Sequence, residues 1–505
     1  MVECFTYTPH MIDPHIFRAY DIRGKAGTQL TEEACFLIGR AFGEVLQEKY
    51  GKEHPHPTVV LGRDARTHSP GFMQKMAEGL MSAGCDVFDI GQTPSPVNYF
   101  TICNASFDAG VQITASHNPK EDNGIKLQLR HAEAYSGEDL QKLRRMIEAE
   151  SGERKAESKI LGSMQNFNAI TPYTQFLLKL FKDVGVGKKI VVDGGNGVAG
   201  PVYCDVLRKV GCEVIELYTE PDGTFPNHAA DPSKHSTLKE LQEKVIAEKA
   251  DIGFAFDGDG DRVGIVDEKG AIVTADQTLL LLAQDHLTRH TGAPIIFTVS
   301  NSSLLETEVK KWGGKPVMCK VGHSFVEHAM RDNNSLLGGE QSGHFFCGEN
   351  YFGFDDALVA SLRALSVLAA PQAATAPQVS TPALESYDNT TGALLRGRGF
   401  QKLSGLIQEF PKVYQVHEMR PHCPDNLKAE LVGKATEHFQ KKYPVITLDG
   451  ARIDFGDGAW AGIRYSNTSP CLSICIEARS EQKLKETEAT VLEHLRTYPE
   501  IDWKR

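Results

Sequence analysis

The sequence predicts an α/β protein: three related α/β domains with mixed, largely parallel sheets, followed by a C-terminal α+β domain. Three observations carry this. Apolar strand-like runs alternate with helical stretches, the pattern of βαβ units and parallel sheets. One order of events recurs three times along the chain. The C-terminal part then breaks that order.

The repeat begins with the apolar run 57–62, followed by Arg63-Asp64, a helical stretch, and Gly84-Cys85-Asp86-Val87, which opens another strand. The same events follow Lys189–Asp193: a Gly-Gly-Asn-Gly loop, a helix, then Gly211-Cys212-Glu213-Val214. They recur from 294–299 through Ser300-Asn301-Ser302, a helix and Gly313-Gly314 to a strand at 316–321. Each unit then reaches a loop rich in functional groups, at Ser116, at Asp257 and at Glu340. An Ala/Pro-rich stretch from Ala369 to about Asn389 cannot build a core and reads as a linker or surface loop. Beyond it, strands at 445–448, 451–455, 461–465 and Leu472–Ala478 lead into a helix at about 480–497. The expected divisions are 1–160, 161–268, 269–368, a linker at 369–398, and 399–505.

At 505 residues, the chain has room for about three or four domains of roughly 100–200 residues each. Hydrophobic residues at 41% and charged residues at 24% are those of a globular protein. A formal charge of −12 argues against nonspecific binding to nucleic acid or anionic membranes. An anionic substrate would need a locally basic cleft. No run approaches the roughly 18 apolar residues of a membrane span. The start, Met1-Val2-Glu3-Cys4, lacks the basic-then-apolar order of a signal peptide. Eleven scattered cysteines without a C-x-x-C pair read as free thiols in a reducing cytoplasm.

The chemistry concentrates in a few segments. Thr114-Ala115-Ser116-His117-Asn118-Pro119 follows an apolar run and offers a hydroxyl at a strand end. An ordinary Asn-Pro turn is the plain alternative. A hydrolase elbow is disfavoured, because Thr114 and Asn118 stand where G-x-S-x-G requires glycine. A phosphate-carrying serine fits better, and its charge of about −1.5 to −2 calls for a nearby cation. Asp257-Gly258-Asp259-Gly260-Asp261-Arg262 supplies carboxylates at i, i+2 and i+4, with glycines that let the backbone curl around one hard cation. A calcium loop of the EF-hand kind shares the spacing, and Glu268 even falls at its twelfth position. Arg262 occupies the place of its turn glycine, however, and both flanks look like strands, so magnesium is the expected ion. Asn123-Gly124 reads as a tight turn that would bring Lys126 back to the serine loop.

Gly195-x-Gly197-x-x-Gly200 follows a strand and opens a helix, with Glu216 about 20 residues on, so it matches the dinucleotide fingerprint. An NAD-dependent oxidoreductase is therefore the rival of another class. Structural glycines at a βα turn explain the same letters, and a nicotinamide site has no use for the carboxylates that follow. Gly338-Gly339-Glu340-Gln341-Ser342-Gly343-His344 presents groups suited to sugar hydroxyls. Arg464-Tyr465-Ser466-Asn467-Thr468 could grip a non-reacting phosphate.

Together these motifs resemble the α-D-phosphohexomutase family, in its bacterial phosphomannomutase/phosphoglucomutase branch. The resemblance rests on Phe17-Arg18-Ala19-Tyr20-Asp21-Ile22-Arg23-Gly24, the Ser116 segment, the aspartate trio, Lys320-Val321-Gly322-His323, and the Glu340 and Ser466 loops, in the family's order. It implies four domains around a central cleft, each contributing one loop. Ser116 would be the phosphoserine, and Asp257, Asp259 and Asp261 would bind Mg2+ with a phosphoryl oxygen of Ser116. Arg262 would lie beside the transferring group. Glu340 and Ser342 would read sugar hydroxyls, and Tyr20, Arg464, Ser466, Asn467 and Thr468 would hold the distal phosphate. Arg23, His117, Lys126, His323 and His344 would line the cleft as cationic or proton-shuttling groups. Two departures stand out: Ser300 where such members often carry lysine, and a longer Ala/Pro-rich stretch.

The resemblance implies reversible transfer of phosphate between O1 and O6 of a hexose through a bisphosphorylated intermediate, with hexose 1,6-bisphosphate as activator. The Ser-Asn-Thr of the last loop favours mannose or glucose phosphates. Phosphoglucosamine mutases, the runner-up, usually show Ser-Gly-Thr there. The expected partner is a phosphosugar, not nucleic acid or membrane, and the expected state is a cytoplasmic monomer or weak dimer.

Overall fold

The computed structural model describes residues 12–149, 161–369, 402–466 and 469–503. Nearly all of the expected linker, and Asn467 and Thr468, lie outside the described residues.

The first sheet has six strands in the order Ile22–Lys25, Asp122–Leu129, Ala109–Ile113, Thr58–Arg63, Asp86–Gln92 and Met164–Asn166. The four from Ala109–Ile113 onward run parallel, and the other two pair antiparallel. The second sheet runs Ile272–Val273, Val263–Asp267, Ile252–Phe256, Lys189–Asp193, Glu213–Leu217, and its last three strands are parallel. The third runs Lys315–Cys319, Pro294–Thr298, Leu337–Gly339, Phe345–Cys347, with only the last strand antiparallel. The repeat legible in the sequence is thus one topology used three times. In each unit a buried parallel strand leads into a functional loop and returns as an antiparallel neighbour. The loops lie between Ala109–Ile113 and Asp122–Leu129, between Ile252–Phe256 and Val263–Asp267, and between Leu337–Gly339 and Phe345–Cys347.

The central strands form where the sequence is apolar on both faces. Ile252–Phe256 is buried throughout, as expected where helices cover both sides. Some helix starts carry side-chain caps. Thr274 and Gln277 make a reciprocal capping box that opens Ala275–Arg289. The units overrun the expected divisions. Met164–Asn166 lies past 160 yet pairs onto the first sheet, and Ile272–Val273 lies past 268 yet pairs onto the second. Met164–Asn166 is exposed throughout, so no apolar pattern announced it.

The fourth unit is a wholly antiparallel five-stranded sheet, Tyr414–Met419, Leu472–Ala478, Ala459–Tyr465, Ala451–Gly456, Val445–Ile446. The helices Lys428–Gln440 and Glu481–Leu495 pack on it, the second capped by Ser480. Its core, from Cys423 to Ile501, is its own. In contrast, one apolar cluster runs through the first three units, joining Phe100, Tyr173, Phe254, Leu280 and Phe297. The segment that opens the fourth unit, with Leu403 and Phe410, joins the apolar cluster of the body, whereas the fourth sheet meets the third unit through polar contacts. Glu477 Oε1 accepts from Ser303 N–H (3.0 Å), Ser303 Oγ (2.6 Å) and Trp460 Nε1 (3.0 Å). Arg452 lies over the Trp460 ring and donates to the carbonyls of Val299 and Asn301.

Candidate active site

Ser116 sits directly after the strand Ala109–Ile113 and Thr114-Ala115, in the left-handed region at φ 51°. A serine held there is strained unless its surroundings fix it. Two buried arginines do so. Arg66 donates to the carbonyls of Ser116 (3.0 Å), Asn118 (2.7 Å), Pro119 (2.6 Å) and Asp122 (2.9 Å), with Asp64 against its Nε (3.0 Å). Arg23 donates to Asp21 (2.6 Å), the Ala115 carbonyl (3.0 Å) and Asn118 Oδ1 (2.8 Å). Arg23 thus holds the serine loop from behind. Ser116 Oγ donates to Asp257 Oδ2 at 2.5 Å and lies 3.0 Å from His117 Nδ1. With the hydroxyl proton directed at a carboxylate, His117 Nδ1 is the donor of that second pair.

Asp257 also folds its own loop: its Oδ1 accepts from the N–H groups of Gly260 (3.0 Å), Asp261 (3.1 Å) and Arg262 (3.1 Å). Gly258 is required by close approach, because a Cβ there would stand 2.4 Å from the Ser116 carbonyl oxygen. Asp259 Oδ2 accepts from Ser95 Oγ at 2.6 Å and lies 3.2 Å from Lys126 Nζ, which also binds Asp261 Oδ2. Oxygens of the three aspartates lie within 4.8 Å of one another, all three residues are buried, and Asp259 Oδ1 and Asp261 Oδ1 have no hydrogen-bond partner. Orphaned carboxylate oxygens converging at one point fit a hard divalent cation. Burial, then repulsion from Asp261 and Asp259, pushes the Asp257 carboxyl well above its usual range. Burial would raise Asp261 too, but Lys126 and His344 outweigh it and hold the group well below. Burial opposes the charge on Lys126, yet Asp259 and Asp261 push its ammonium well upward.

Lys126 arrives differently from the expected turn. Asn123-Gly124 lies inside the strand Asp122–Leu129, paired with Ile22–Lys25 on one side and continuing into the Ala109–Ile113 pairing on the other. Two-sided strand pairing overrides a local turn preference.

The third loop closes on the second. Arg262 and His344 form a backbone bridge, and Arg262 Nε lies 3.2 Å from His344 Nε2. His344 also lies 3.3 Å from Asp261 Oδ1 and 3.0 Å from Glu340 Oε2, and shares Ser342 Oγ at 2.9 Å. Burial and Arg262 disfavour its charge, but Asp261 and Glu340 prevail and its pKa rises to about 9. Glu340 Oε1 accepts the Gly322 N–H at 2.7 Å. Next along the chain, His323 is buried with both ring nitrogens unpartnered. Tyr20 meets it edge-on at 5.1 Å. Burial, then Lys126 and His344, pulls the His323 imidazole well below its usual pKa, and burial, then Arg262 and Arg23, does the same for His117.

Ser116, His117, Lys126, the aspartates, Arg262, Glu340, Ser342, His344, His323 and Tyr20 therefore form one constellation. Arg464 and Ser466 stand apart in the fourth unit. They connect to it through Asp449, 3.8 Å from Arg464 Nη1, whose Oδ2 accepts the Val321 N–H at 3.1 Å. Two cations missed in the sequence serve this loop. Arg420 donates to Ser466 Oγ at 3.1 Å, and Lys428 to the carbonyls of Ser466 (2.7 Å) and Ser469 (3.3 Å). Arg66 and Ser95 were missed likewise, as was buried Asp355, whose Oδ2 lies 3.8 Å from both His323 Nδ1 and His344 Nε2. Arg66 lies two residues beyond Asp64, at the end of the first repeat's strand, the one signal that could have found it. The dinucleotide-like glycines prove to be packing. A Cβ on Gly197 would meet the Gly258 and Asp257 carbonyl oxygens at 2.8 and 2.9 Å, and one on Gly200 the Thr219 carbonyl at 2.0 Å. The space a pyrophosphate would need is filled by the aspartate loop.

Four α/β-type units around a serine–aspartate site define a sugar-phosphate mutase class of isomerase. The chain matches the family described as phosphoglucomutase/phosphomannomutase through its alpha/beta/alpha domains I, II and III at residues 14–154, 171–270 and 274–385, and its C-terminal domain at 401–494. It is 36% identical over 473 residues to a phosphomannomutase/phosphoglucomutase of Pseudomonas aeruginosa, covering 93% of each chain. It is 36% identical to a phosphoglucomutase of Neisseria meningitidis serogroup A, covering 97% of this chain and 98% of the relative. A crystal structure of a phosphoglucomutase/phosphomannomutase family protein from Burkholderia thailandensis superposes with a TM-score of 0.81 at 33% identity, covering 97% of this chain and 100% of that one. The chain belongs to the phosphoglucomutase/phosphomannomutase family of α-D-phosphohexomutases and is a hexose phosphate mutase.

Proposed function

We propose that the enzyme interconverts the 1- and 6-phosphates of mannose and glucose in a magnesium-dependent reaction, with Ser116 carrying a phosphoryl group between turnovers. The observation that carries this reading is the 2.5 Å contact of Ser116 Oγ with Asp257 inside a buried three-aspartate loop. Bound by Asp257, Asp259 and Asp261, a magnesium ion would neutralise charge on the phosphoryl oxygens. The residues supply the rest. The bond from Ser116 Oγ to phosphorus breaks as a sugar hydroxyl oxygen bonds to phosphorus. The hydroxyl proton leaves, and Oγ takes up a proton. His117 Nδ1, 3.0 Å from Oγ, is placed to hydrogen-bond that oxygen as it does so. His323, with both nitrogens unpartnered, is free to accept the hydroxyl proton. Arg262 and Lys126 offset charge on the moving group. Such transfer depends on positioning and electrostatics more than on covalent chemistry.

The bisphosphorylated sugar then turns end for end and returns its other phosphate to Ser116, which makes a hexose 1,6-bisphosphate an activator. Glu340 and Ser342 face the sugar hydroxyls. Tyr20, Arg464, Ser466, Asn467 and Thr468 grip the distal phosphate, joined by Arg420. The activities for which the two relatives are named support mannose and glucose over glucosamine. A cytoplasmic site of action fits the substrate class, and no described helix is long and apolar enough to cross a membrane.

The test supplies the protein and magnesium with mannose, glucose and glucosamine 1-phosphates and a trace of each bisphosphate. Mannose and glucose 6-phosphates are the expected products. Conversion of glucosamine phosphate alone would reassign the sugar, and no product from any would remove the reading.

A further inference from the structure

Away from the cleft, the helix Ala275–Arg289 and its C-cap His290 carry His286 and His290 four positions apart, hence on one face. Opposite them stands Glu349, two residues past the strand Phe345–Cys347 that returns from the Glu340 loop. One ligand-type atom from each of the three lies within 4.8 Å of the others. His290 Nε2 is 3.1 Å from Glu349 Oε1, and His286 Nδ1 is 3.5 Å from Glu349 Oε2. Ligands held at about 2.0–2.1 Å by a tetrahedral metal stand about 3.3 Å apart, so these gaps bracket the separation needed.

The hydrogen bonding of His286 points the same way. The residue is 4% exposed, yet its Nε2 has no partner. Its Nδ1 gap of 3.5 Å is too long for a strong hydrogen bond. The nitrogen that faces the carboxylate is thus only weakly engaged, and with the proton on Nε2 its lone pair is open to a metal. The two rings stack at 4.5 Å between centroids. His290 is partly exposed, so a small turn of its ring would complete a site reachable from solvent.

We propose that His286, His290 and Glu349 bind a divalent transition metal of the zinc class, with the remaining position left to water. The competitor is Arg289, which donates to both Glu349 oxygens at 3.1 and 3.0 Å. It has somewhere to go: Asp285 Oδ2 lies 2.8 Å from its Nη2. Arg363 binds the Glu349 carbonyl and leaves the carboxylate alone. Two imidazoles and one carboxylate select against magnesium, which prefers oxygen and holds its waters. The ion would pin the returning strand of the sugar-recognition hairpin to the end of the helix. It lies outside the reacting groups.

Cobalt is the probe. Full-length protein is titrated with Co2+ in excess Mg2+, so that the aspartate loop is filled by the hard cation. The expected result is the intense visible absorption of four-coordinate cobalt, abolished by Zn2+. His290→Gln and Glu349→Gln should each weaken uptake at least about tenfold. Asp259→Asn should leave the spectrum in place. Zinc should raise the melting midpoint of the native protein and not of either variant, which separates lost binding from lost folding. Absence of these bands at about 1 mM cobalt, or equal uptake by His290→Gln, would overturn the site.

Discussion

The first three units and the fourth are built on opposite principles. One apolar cluster joins the three units of the body, beside a second cluster confined to the first unit, and most of the functional side chains there are buried and mutually bonded. The fourth sheet keeps its own core and touches the body through Glu477, Gln415, Arg452 and Asp449. The serine loop is gripped by a wholly buried arginine, whereas Ser466 is met by Arg420, whose side chain is 43% exposed. On the proposed reaction the difference matches two tasks. A phosphoryl group passed at one geometry would need a fixed reacting end. A distal end that accepts a sugar in either orientation would be served by long, adaptable cations on a sheet attached by polar contacts.

The largest effect should come from the body. Ser116→Ala removes the phosphoryl carrier, and turnover should fall about a thousandfold or more, as for loss of a catalytic nucleophile. A steady-state assay with saturating bisphosphate checks this, and near-normal turnover would end the phosphoserine assignment. Second is Arg66→Lys. A lysine cannot span the four carbonyls that Arg66 binds. A misplaced Ser116 should lower kcat roughly 10- to 100-fold with KM little changed. If KM rises and kcat holds, the loop is not the rigid element claimed.

The fourth unit should respond in the other parameter. Arg420→Ala removes a charged donor to Ser466, worth about 1.5 kcal/mol, so KM should rise about tenfold while kcat stays within about twofold. A fall in kcat instead would place Arg420 with the reacting groups. Ser303→Ala strips one donor from Glu477 at the seam. It should cost about 1 kcal/mol of attachment and raise KM only about two- to threefold.

This division also explains what the sequence made legible. The body's strands and loops were readable because buried parallel strands are continuous apolar runs and the chemistry sits where they end. Ile252–Phe256 and the aspartates show both. Arg66 was hidden because its partners are backbone carbonyls of a loop some 50 residues away, which no local pattern encodes. Lys126 was expected at the site for the wrong reason: Asn123-Gly124 has turn chemistry, but tertiary pairing made it strand. In the fourth unit, Arg420 and Lys428 carry no motif, because what they bring to Ser466 is positive charge from elsewhere in the chain, which no local spacing encodes.

The smallest effect tests whether the two parts melt separately. His228 Nε2 lies 3.0 Å from Asp193 at the end of a core strand of the second unit, and its pKa rises to about 9, mainly through that hydrogen bond. A histidine whose folded pKa exceeds its unfolded value stabilises the fold fully below the unfolded pKa, near 6.5, and loses that contribution as pH climbs through about 9. After allowance for solvent screening at a partly exposed ring, about 1 kcal/mol is at stake. Calorimetry at about pH 6 and about pH 9.5 should therefore lower the body's transition and leave that of the fourth unit, and His228→Gln should remove the shift. A single transition moving as one would mean that the polar seam couples the parts as firmly as a shared core.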